Sequence, residues 1–126
     1  MRTIIILVLF GFNVCNGQDK IDLNYLYKEW KLVTLEKNGM IKTAEEFDKK
    51  ESIIFYKNNK FKMKDSEHIL NGIWKFNYLT SEMELNIIEL NQKISLKIIS
   101  LQLDVLDYIY KELDDKMVFH LKPKIN

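Results

Sequence analysis

The sequence predicts an all-β protein, an eight-stranded antiparallel up-and-down barrel with a short helical turn before its first strand. Apolar and polar residues alternate along most of the chain, which is typical of strands with one buried and one solvent-exposed face. Turn-forming residues interrupt this alternation at intervals of about ten residues. Only the connection at residues 38–50 is long. Successive short hairpins favour a meander, and closing a meander into a barrel removes its exposed edges.

The alternation defines each strand in turn. It is clearest in Lys60–Lys64, where Phe61 and Met63 alternate with lysines, and in the stretch from Trp74 to Tyr78. The predicted strands are residues 27–37, 51–57, 60–65, 72–79, 83–90, 92–100, 104–112 and 116–122. A barrel of eight strands has an interior that side chains fill or that holds one small ligand.

Residues that tolerate a positive φ angle mark the joints between these strands. Asparagine, aspartate and glycine adopt the backbone conformations that tight hairpins need. The predicted turns are at Asn38-Gly39, Asn58-Asn59, Asn71-Gly72, Thr80-Ser81, Asn91 and Asp114-Asp115.

Two segments depart from the alternation. Residues 19–26 precede the first strand, and we expect a turn of helix there, packed on one end of the sheet. Thr43 and Glu46 have the spacing of a capping box, in which each side chain satisfies a backbone N–H of the other residue. A short helix or a loop is therefore predicted over residues 43–49.

The N-terminal residues have the pattern of a secretory signal peptide. Arg2 supplies the positive charge, and the apolar run at 4–10 is shorter than the roughly 20 residues that span a bilayer. Small residues at Cys15 and Gly17 favour cleavage before Gln18. We therefore expect a signal peptide at 1–17, a barrel domain at 18–126, and a periplasmic or extracellular protein. The alternative is a lipoprotein anchored through Cys15, although Val14 stands where such a signal has a small residue.

The composition excludes several classes of partner. Lysine plus arginine (19) nearly balance aspartate plus glutamate (18), and Arg2 is the only arginine. A chain with almost no net charge lacks the basic surface that nucleic acids attract. Association with a membrane is expected only if Cys15 carries a lipid. Because Cys15 is also the only cysteine, the fold must depend on its core and not on disulfides.

Several short stretches share one pattern of aromatic residues, leucines and glycine. They are "LYKEWKL" at 26–32, "SIIFYKNNKF" at 52–61, "GIWKF" at 72–76, the strand at 84–90, and "LQLDVLDY" at 101–108. Together they resemble the bacterial lipocalin-like domain proteins, small exported relatives of the lipocalins and fatty-acid-binding proteins. The resemblance implies an eight-stranded meander barrel with Trp30 near its closed end, and binding of a small apolar ligand. Lys28 departs from the pattern, because the family has glycine there.

The inward positions of the strands supply the candidate site. Aromatic and apolar side chains on one face of a strand form either a plain core or the wall of an apolar pocket in which tyrosine hydroxyls make the polar contacts. The candidate ligand-binding residues are Phe61, Met63, Trp74, Phe76, Tyr78, Leu96, Tyr108 and Phe119. If side chains fill the barrel instead, the alternative is a protein-interaction or structural module of the cell envelope.

Catalytic and metal-binding patterns are not predicted. His68 lies in a charged stretch at a hairpin end and His120 lies opposite Phe119, so both are expected to be solvated surface residues. Neither histidine has further ligands or an orienting carboxylate at motif spacing. Glu82 and Glu84 share the wet face of one strand, where paired carboxylates usually serve solubility. The sequence therefore predicts no enzyme activity, no metal and no cofactor.

Overall fold

The computed structural model describes residues 21–43 and 51–125, and these residues are almost entirely β-structure. A 3-10 turn at Leu23–Tyr25 precedes nine strands. The strands are β1 (Glu29–Lys37), β2 (Met40–Thr43), β3 (Ser52–Phe55), β4 (Lys60–Lys64), β5 (Ile69–Asn77), β6 (Glu82–Ile87), β7 (Gln92–Gln102), β8 (Val105–Glu112) and β9 (Asp115–Pro123). The predicted signal peptide and residues 44–49 of the predicted helix or loop lie outside the described residues.

Eight of these strands form a closed antiparallel barrel. From β3 to β9 each strand pairs with the next one in sequence, and β1 pairs with β3 and with β9. The closing pair of strands runs in register from Met117 opposite Lys37 to Pro123 opposite Trp30. The predicted fold class is therefore confirmed. The additional strand, β2, pairs with the second half of β1, while β3 pairs with the first half.

Most of the predicted turns are confirmed by their backbone angles. Positive φ angles occur at Asn38, Gly39, Asn59, Ser81 and Asn91, each within a predicted turn. In the last hairpin the residue with a positive φ angle (54°) is Leu113, which precedes the predicted Asp114-Asp115.

The turn predicted at Asn71-Gly72 is wrong, because both residues lie inside β5. The hairpin before β5 is the turn at 65–68, where the Asp65 carboxylate accepts backbone N–H groups of Glu67 and His68. Gly72 is required for packing and not for a turn. A Cβ atom at this position would collide with the Asn86 carbonyl oxygen and the ring of Phe61.

Residues 23–30, which precede β1 and include its first two residues, cover one end of the barrel. We call this end of the barrel the covered end. Leu26 and Trp30 are fully buried there, and the Trp30 Nε1–H donates to the Leu26 carbonyl oxygen at 3.0 Å. The Lys28 ammonium lies 5.2 Å from the Trp30 ring centroid and donates to the Leu103 carbonyl oxygen at 2.7 Å. Lys28 therefore links the segment that covers the barrel to the turn between β7 and β8 by a hydrogen bond.

Candidate ligand cavity

A cavity of about 180 Å³ lies inside the barrel, toward the end opposite the covered end. Since β3 runs antiparallel to β1, the turn at 56–59 lies at the covered end and the turn at 65–68 at the other. Asp65 and His68 of this second turn border the cavity. The apolar lining comes from β1, β3, β4, β5, β8 and β9, and consists of Leu32, Ile53, Met63, Leu70, Tyr108, Phe119 and Leu121.

Two cross-strand pairs form contrasting parts of the cavity wall. Tyr108 of β8 lies directly across from Phe119 of β9, and their rings stack with centroids 5.0 Å apart and planes 18° apart. Met63 of β4 and Leu70 of β5 form a second, aliphatic pair. Cross-strand partners share one face of the sheet, and both pairs face inward because all four residues pack against the buried core.

Five polar or charged residues also contribute to the lining of the cavity, and we call them the polar lining (Glu51, Ser52, Lys64, Asp65 and His68). The Lys64 ammonium lies 3.2 Å from the Glu29 carboxylate, and the Ser52 hydroxyl donates to the same carboxylate at 2.7 Å. Desolvation opposes ionisation of Glu29, but these hydrogen bonds and the lysine charges outweigh it and lower its pKa. The Lys64 charge is therefore largely offset by Glu29.

Tyr108 is the one residue of the apolar lining that carries a hydroxyl group. Burial raises its pKa above the usual range for tyrosine, and the negative charge of Glu51 raises the pKa further. The phenol is consequently protonated at physiological pH, and it can both donate and accept a hydrogen bond.

Three of the predicted binding residues line the cavity, namely Met63, Tyr108 and Phe119. Phe61, Trp74 and Leu96 are buried in the core instead. Trp74 packs edge-on against Phe55 at 6.2 Å and donates through Nε1 to the Tyr56 carbonyl oxygen, which places it toward the covered end.

The last two predicted residues lie near the end of β5. Phe76 is half-buried and packs against the core. Tyr78 was predicted to face inward, and this is wrong, because β5 ends at Asn77 and the chain turns. Tyr78 is 65% exposed, and its ring packs edge-on against Phe76 at 4.9 Å.

The sequence did not identify several other residues of the cavity wall. Leu32, Ile53 and Leu121 occupy inward positions of predicted strands, but periodicity does not show where along a strand the core is incompletely filled. Leu70 was missed because the strand was predicted to begin at residue 72. Glu51 lies in no sequence motif that distinguishes it from other glutamates.

His120 lies on the outer wall, between carboxylates of the two neighbouring strands. Its Nε2 lies 2.7 Å from Glu36 of β1, and its Nδ1 lies 2.9 Å from Asp107 of β8. Both histidines lie on the surface as expected, with side chains 67% exposed at His68 and 34% exposed at His120, but the two carboxylate partners of His120 were not expected. A local motif could not reveal these partners, because they are 84 and 13 residues away in sequence.

Glu36, Asp107 and His120 form what we call the carboxylate–histidine group. Two strands each have one extra residue beside it. Between Leu32 and Thr34, β1 has one residue more than β9, and between Ile98 and Ser100, β7 has one residue more than β8. Thr34 and Ser100 then pair with His120 and Asp107 respectively. Bulges of this kind re-aim side chains, and here both occur next to the carboxylate–histidine group at the strand pair that closes the barrel.

Replacement of His120 by glutamine is expected to remove a pH-dependent part of the stability. Partial burial would lower the pKa of His120, but hydrogen bonds and charges from Glu36 and Asp107 outweigh it and raise the pKa. A raised folded-state pKa stabilises the fold fully below the unfolded value of about 6.5 and loses this effect as pH rises through the folded value. Two partly exposed ion pairs contribute about 1 kcal/mol together.

Urea unfolding at pH 5.5 and pH 9 measures this effect. The wild type should exceed His120→Gln in free energy of unfolding by about 1 kcal/mol at pH 5.5, and by clearly less at pH 9. The matched control is His68→Gln at the exposed histidine. Its free energy of unfolding should differ less from that of the wild type than the value for His120→Gln does. If wild type and His120→Gln differ in free energy of unfolding by the same amount at both pH values, the role of the two carboxylates is contradicted.

Fold and cavity together define the class of the protein as a closed, antiparallel up-and-down β-barrel with a small internal cavity. Neither a protein-family model nor a curated protein sequence matches the chain. Within residues 21–43 and 51–125, helices of the length and apolarity needed to cross a membrane do not occur. In the same ranges, no group of three or more histidine, cysteine, aspartate or glutamate side chains is arranged to hold a metal ion.

Proposed function

We propose that the protein is an exported, lipocalin-like binding protein that holds a small apolar molecule in its cavity and has no catalytic activity. The observation that carries this proposal is the cavity of about 180 Å³ with its apolar lining. Ligand sites usually measure roughly 300–1,000 Å³, whereas an engineered apolar cavity of about 150 Å³ binds benzene. The cavity therefore suits a ligand with a single ring or a short aliphatic chain, and not a long fatty acid.

The residues before the barrel support export. The apolar run at 4–10 and the small residues at Cys15 and Gly17 favour a mature chain that begins at Gln18. Intact mass and N-terminal sequencing of protein from the native host test this part of the proposal. A mass increase on Cys15 would instead identify a lipoprotein.

Filling the cavity tests the binding function, and Leu70→Trp is the variant of choice. Leu70 is a half-buried residue of the cavity wall, so an indole ring at this position should enter the cavity. Binding of toluene should weaken at least about tenfold. The measurement is a titration followed by NMR of ¹³C-methyl methionine, in which Met63 lies at the cavity and the buried Met83 serves as an internal reference.

Ile73→Trp provides the matched control, because Ile73 lies on the outer face of the same strand and is 43% exposed. This variant should bind toluene as the wild type does. Saturable binding that shifts the Met63 methyl signal and is lost only in Leu70→Trp supports the proposal. Absence of binding to the wild type, or equal binding by Leu70→Trp, would contradict it.

The alternative function, a protein-interaction module, has one observation in its favour. Met40 and Ile41 of β2 are exposed, and among the described residues β2 pairs only with β1. A strand with an unpaired edge can accept a strand from another chain. Native mass spectrometry of protein from its own host distinguishes the two functions, because a small molecule and a polypeptide give different added masses.

A further inference from the structure

We propose that the closing strand pair (β1 and β9) opens locally when His120 loses its proton, and that this opening admits a ligand to the cavity. The inference rests on the proposed binding function and specifies how the same site is reached and regulated. Two observations carry it. His120 lies between carboxylates of both neighbouring strands, and three residues of the cavity wall, Leu32, Phe119 and Leu121, belong to the closing strand pair.

The geometry of the carboxylate–histidine group suits a protonated ring. Nε2 lies 2.7 Å from Glu36 and Nδ1 lies 2.9 Å from Asp107, which are the distances of charge-assisted hydrogen bonds. A neutral imidazole donates from one nitrogen only, and its other nitrogen presents a lone pair. Loss of the proton therefore turns one of the two contacts from a hydrogen bond into a repulsion between two acceptors.

The charges around His120 favour the protonated ring at mildly acidic pH. Partial burial lowers the pKa of His120, but hydrogen bonds and charges from Glu36 and Asp107 outweigh it and raise the pKa. Two positions along the outer face, Lys122 of β9 is opposite Lys31 of β1, and both residues are exposed. The flanking outward positions of β8 are apolar. The ring consequently loses its proton as pH rises through the raised value.

The closing strand pair is the weaker of the two strand pairs that flank His120. The short turn at 113–114 joins β8 to β9, and these strands pair without interruption from Asp115 to Leu121. In contrast, β1 and β9 come from opposite ends of the barrel sequence, and their register shifts between His120 and Leu121. A bulge disrupts the ladder locally. A repulsive contact at His120 should therefore separate β9 from β1 and not from β8.

Hydrogen bonds at both ends of the closing strand pair confine the separation to its middle. At one end, the Asn38 backbone N–H donates to the Lys116 carbonyl oxygen, and the Asn38 amide donates to the Asp115 carboxylate, both at 3.0 Å. At the other end, the Lys124 backbone N–H donates to the Glu29 carbonyl oxygen at 2.9 Å. The opening therefore lies beside the cavity, between these two fixed ends.

Hydrogen exchange of backbone amides, corrected for the intrinsic effect of pH, tests whether the opening is local. Between pH 5.5 and pH 8.5, exchange in residues 31–37 and 117–123 should become about threefold faster, whereas β6 and β7 should change less. In His120→Gln, which keeps His68, the closing strand pair should exchange at the faster rate at both pH values. An equal change in all strands, or a pH dependence that survives in His120→Gln, would overturn the inference.

Dissociation of toluene, followed through the Met63 methyl signal, tests whether the opening leads to the cavity. The wild type should release toluene about threefold faster at pH 8.5 than at pH 5.5. Glu36→Gln removes the carboxylate on β1, so it should release toluene faster than the wild type at pH 5.5 and depend less on pH.

Glu84→Gln is the matched control, because Glu84 is an exposed residue of β6 and does not line the cavity. This variant should release toluene as the wild type does at each pH. If toluene binds and its rate of release is the same at both pH values, the inference alone fails. If toluene does not bind the wild type, the proposed function fails.

Discussion

Replacement of Gly72 by alanine is expected to lower the free energy of unfolding by about 3 kcal/mol, at the upper end of the usual cost of overpacking. Gly72 faces inward in the middle of β5, where it pairs with Ile87 of β6 and Phe61 of β4. The added methyl group would collide with the Asn86 carbonyl oxygen and the Phe61 ring. The backbone oxygen belongs to the strand ladder, so it cannot move aside as the end of a flexible side chain would.

Urea unfolding of single and double variants measures this effect and separates its two causes. The destabilisation caused by Gly72→Ala should be smaller in a Phe61→Leu background than in the wild type, because leucine removes the ring but leaves the collision with the Asn86 carbonyl oxygen. Gly39→Ala is the control for glycine replacement in general, since a Cβ at Gly39 has open space and only its positive φ angle opposes alanine. That control should cost about 1 kcal/mol. A Gly72→Ala variant as stable as this control would refute the packing argument.

The role of Gly72 shows where sequence reasoning succeeds and where it fails. Alternation correctly predicted that Trp74 faces the core, because a period of two follows directly from strand geometry. The same residues made Asn71-Gly72 look like a turn, since glycine is equally typical of hairpins and of places where two strands pack closely. The sequence alone does not show that the Phe61 ring occupies the space above Gly72.

The candidate site was predictable only as a set of inward positions. Met63, Tyr108 and Phe119 were expected at the interior, and they line the cavity. Trp74 was expected beside them, but its ring fills the barrel toward the covered end. Which inward residues border a cavity depends on how the volumes of side chains from all strands add up, and a pattern within one strand does not contain this information.

The carboxylate–histidine group on the outer wall depends on the closure of the barrel. Glu36 and His120 become neighbours because the last strand pairs with the first, and the bulge in β1 sets which residues of the two strands are opposed. A meander prediction implies this pairing but not its register. The sequence therefore predicted the strands that meet, and it could not predict the side chains that meet on them.

Replacement of Trp30 by alanine is expected to have the largest effect of all, a loss of about 4 kcal/mol in the free energy of unfolding. Trp30 is fully buried at the covered end, and its ring lies beneath the Lys28 ammonium. Deleting the ring leaves a cavity below the segment that covers the barrel, and removes the hydrogen bond to the Leu26 carbonyl oxygen. Many domains of this size have total stabilities of only about 5–15 kcal/mol, so the variant should unfold at far lower urea concentration.

Trp30→Phe helps to separate the two parts of this loss, because phenylalanine keeps a six-membered aromatic ring but removes the indole N–H and the smaller ring that carries it. The Leu26 carbonyl oxygen still accepts the Lys28 backbone N–H at 2.8 Å, so loss of the indole hydrogen bond itself should cost only about 1 kcal/mol, and this variant should stay clearly more stable than Trp30→Ala. Trp74→Phe is the matched control for removal of a buried indole, since the Trp74 indole donates to the Tyr56 carbonyl oxygen at 3.2 Å. A Trp30→Ala variant within 1 kcal/mol of Trp30→Phe would mean that the ring does not support the covered end, and that burial there contributes little.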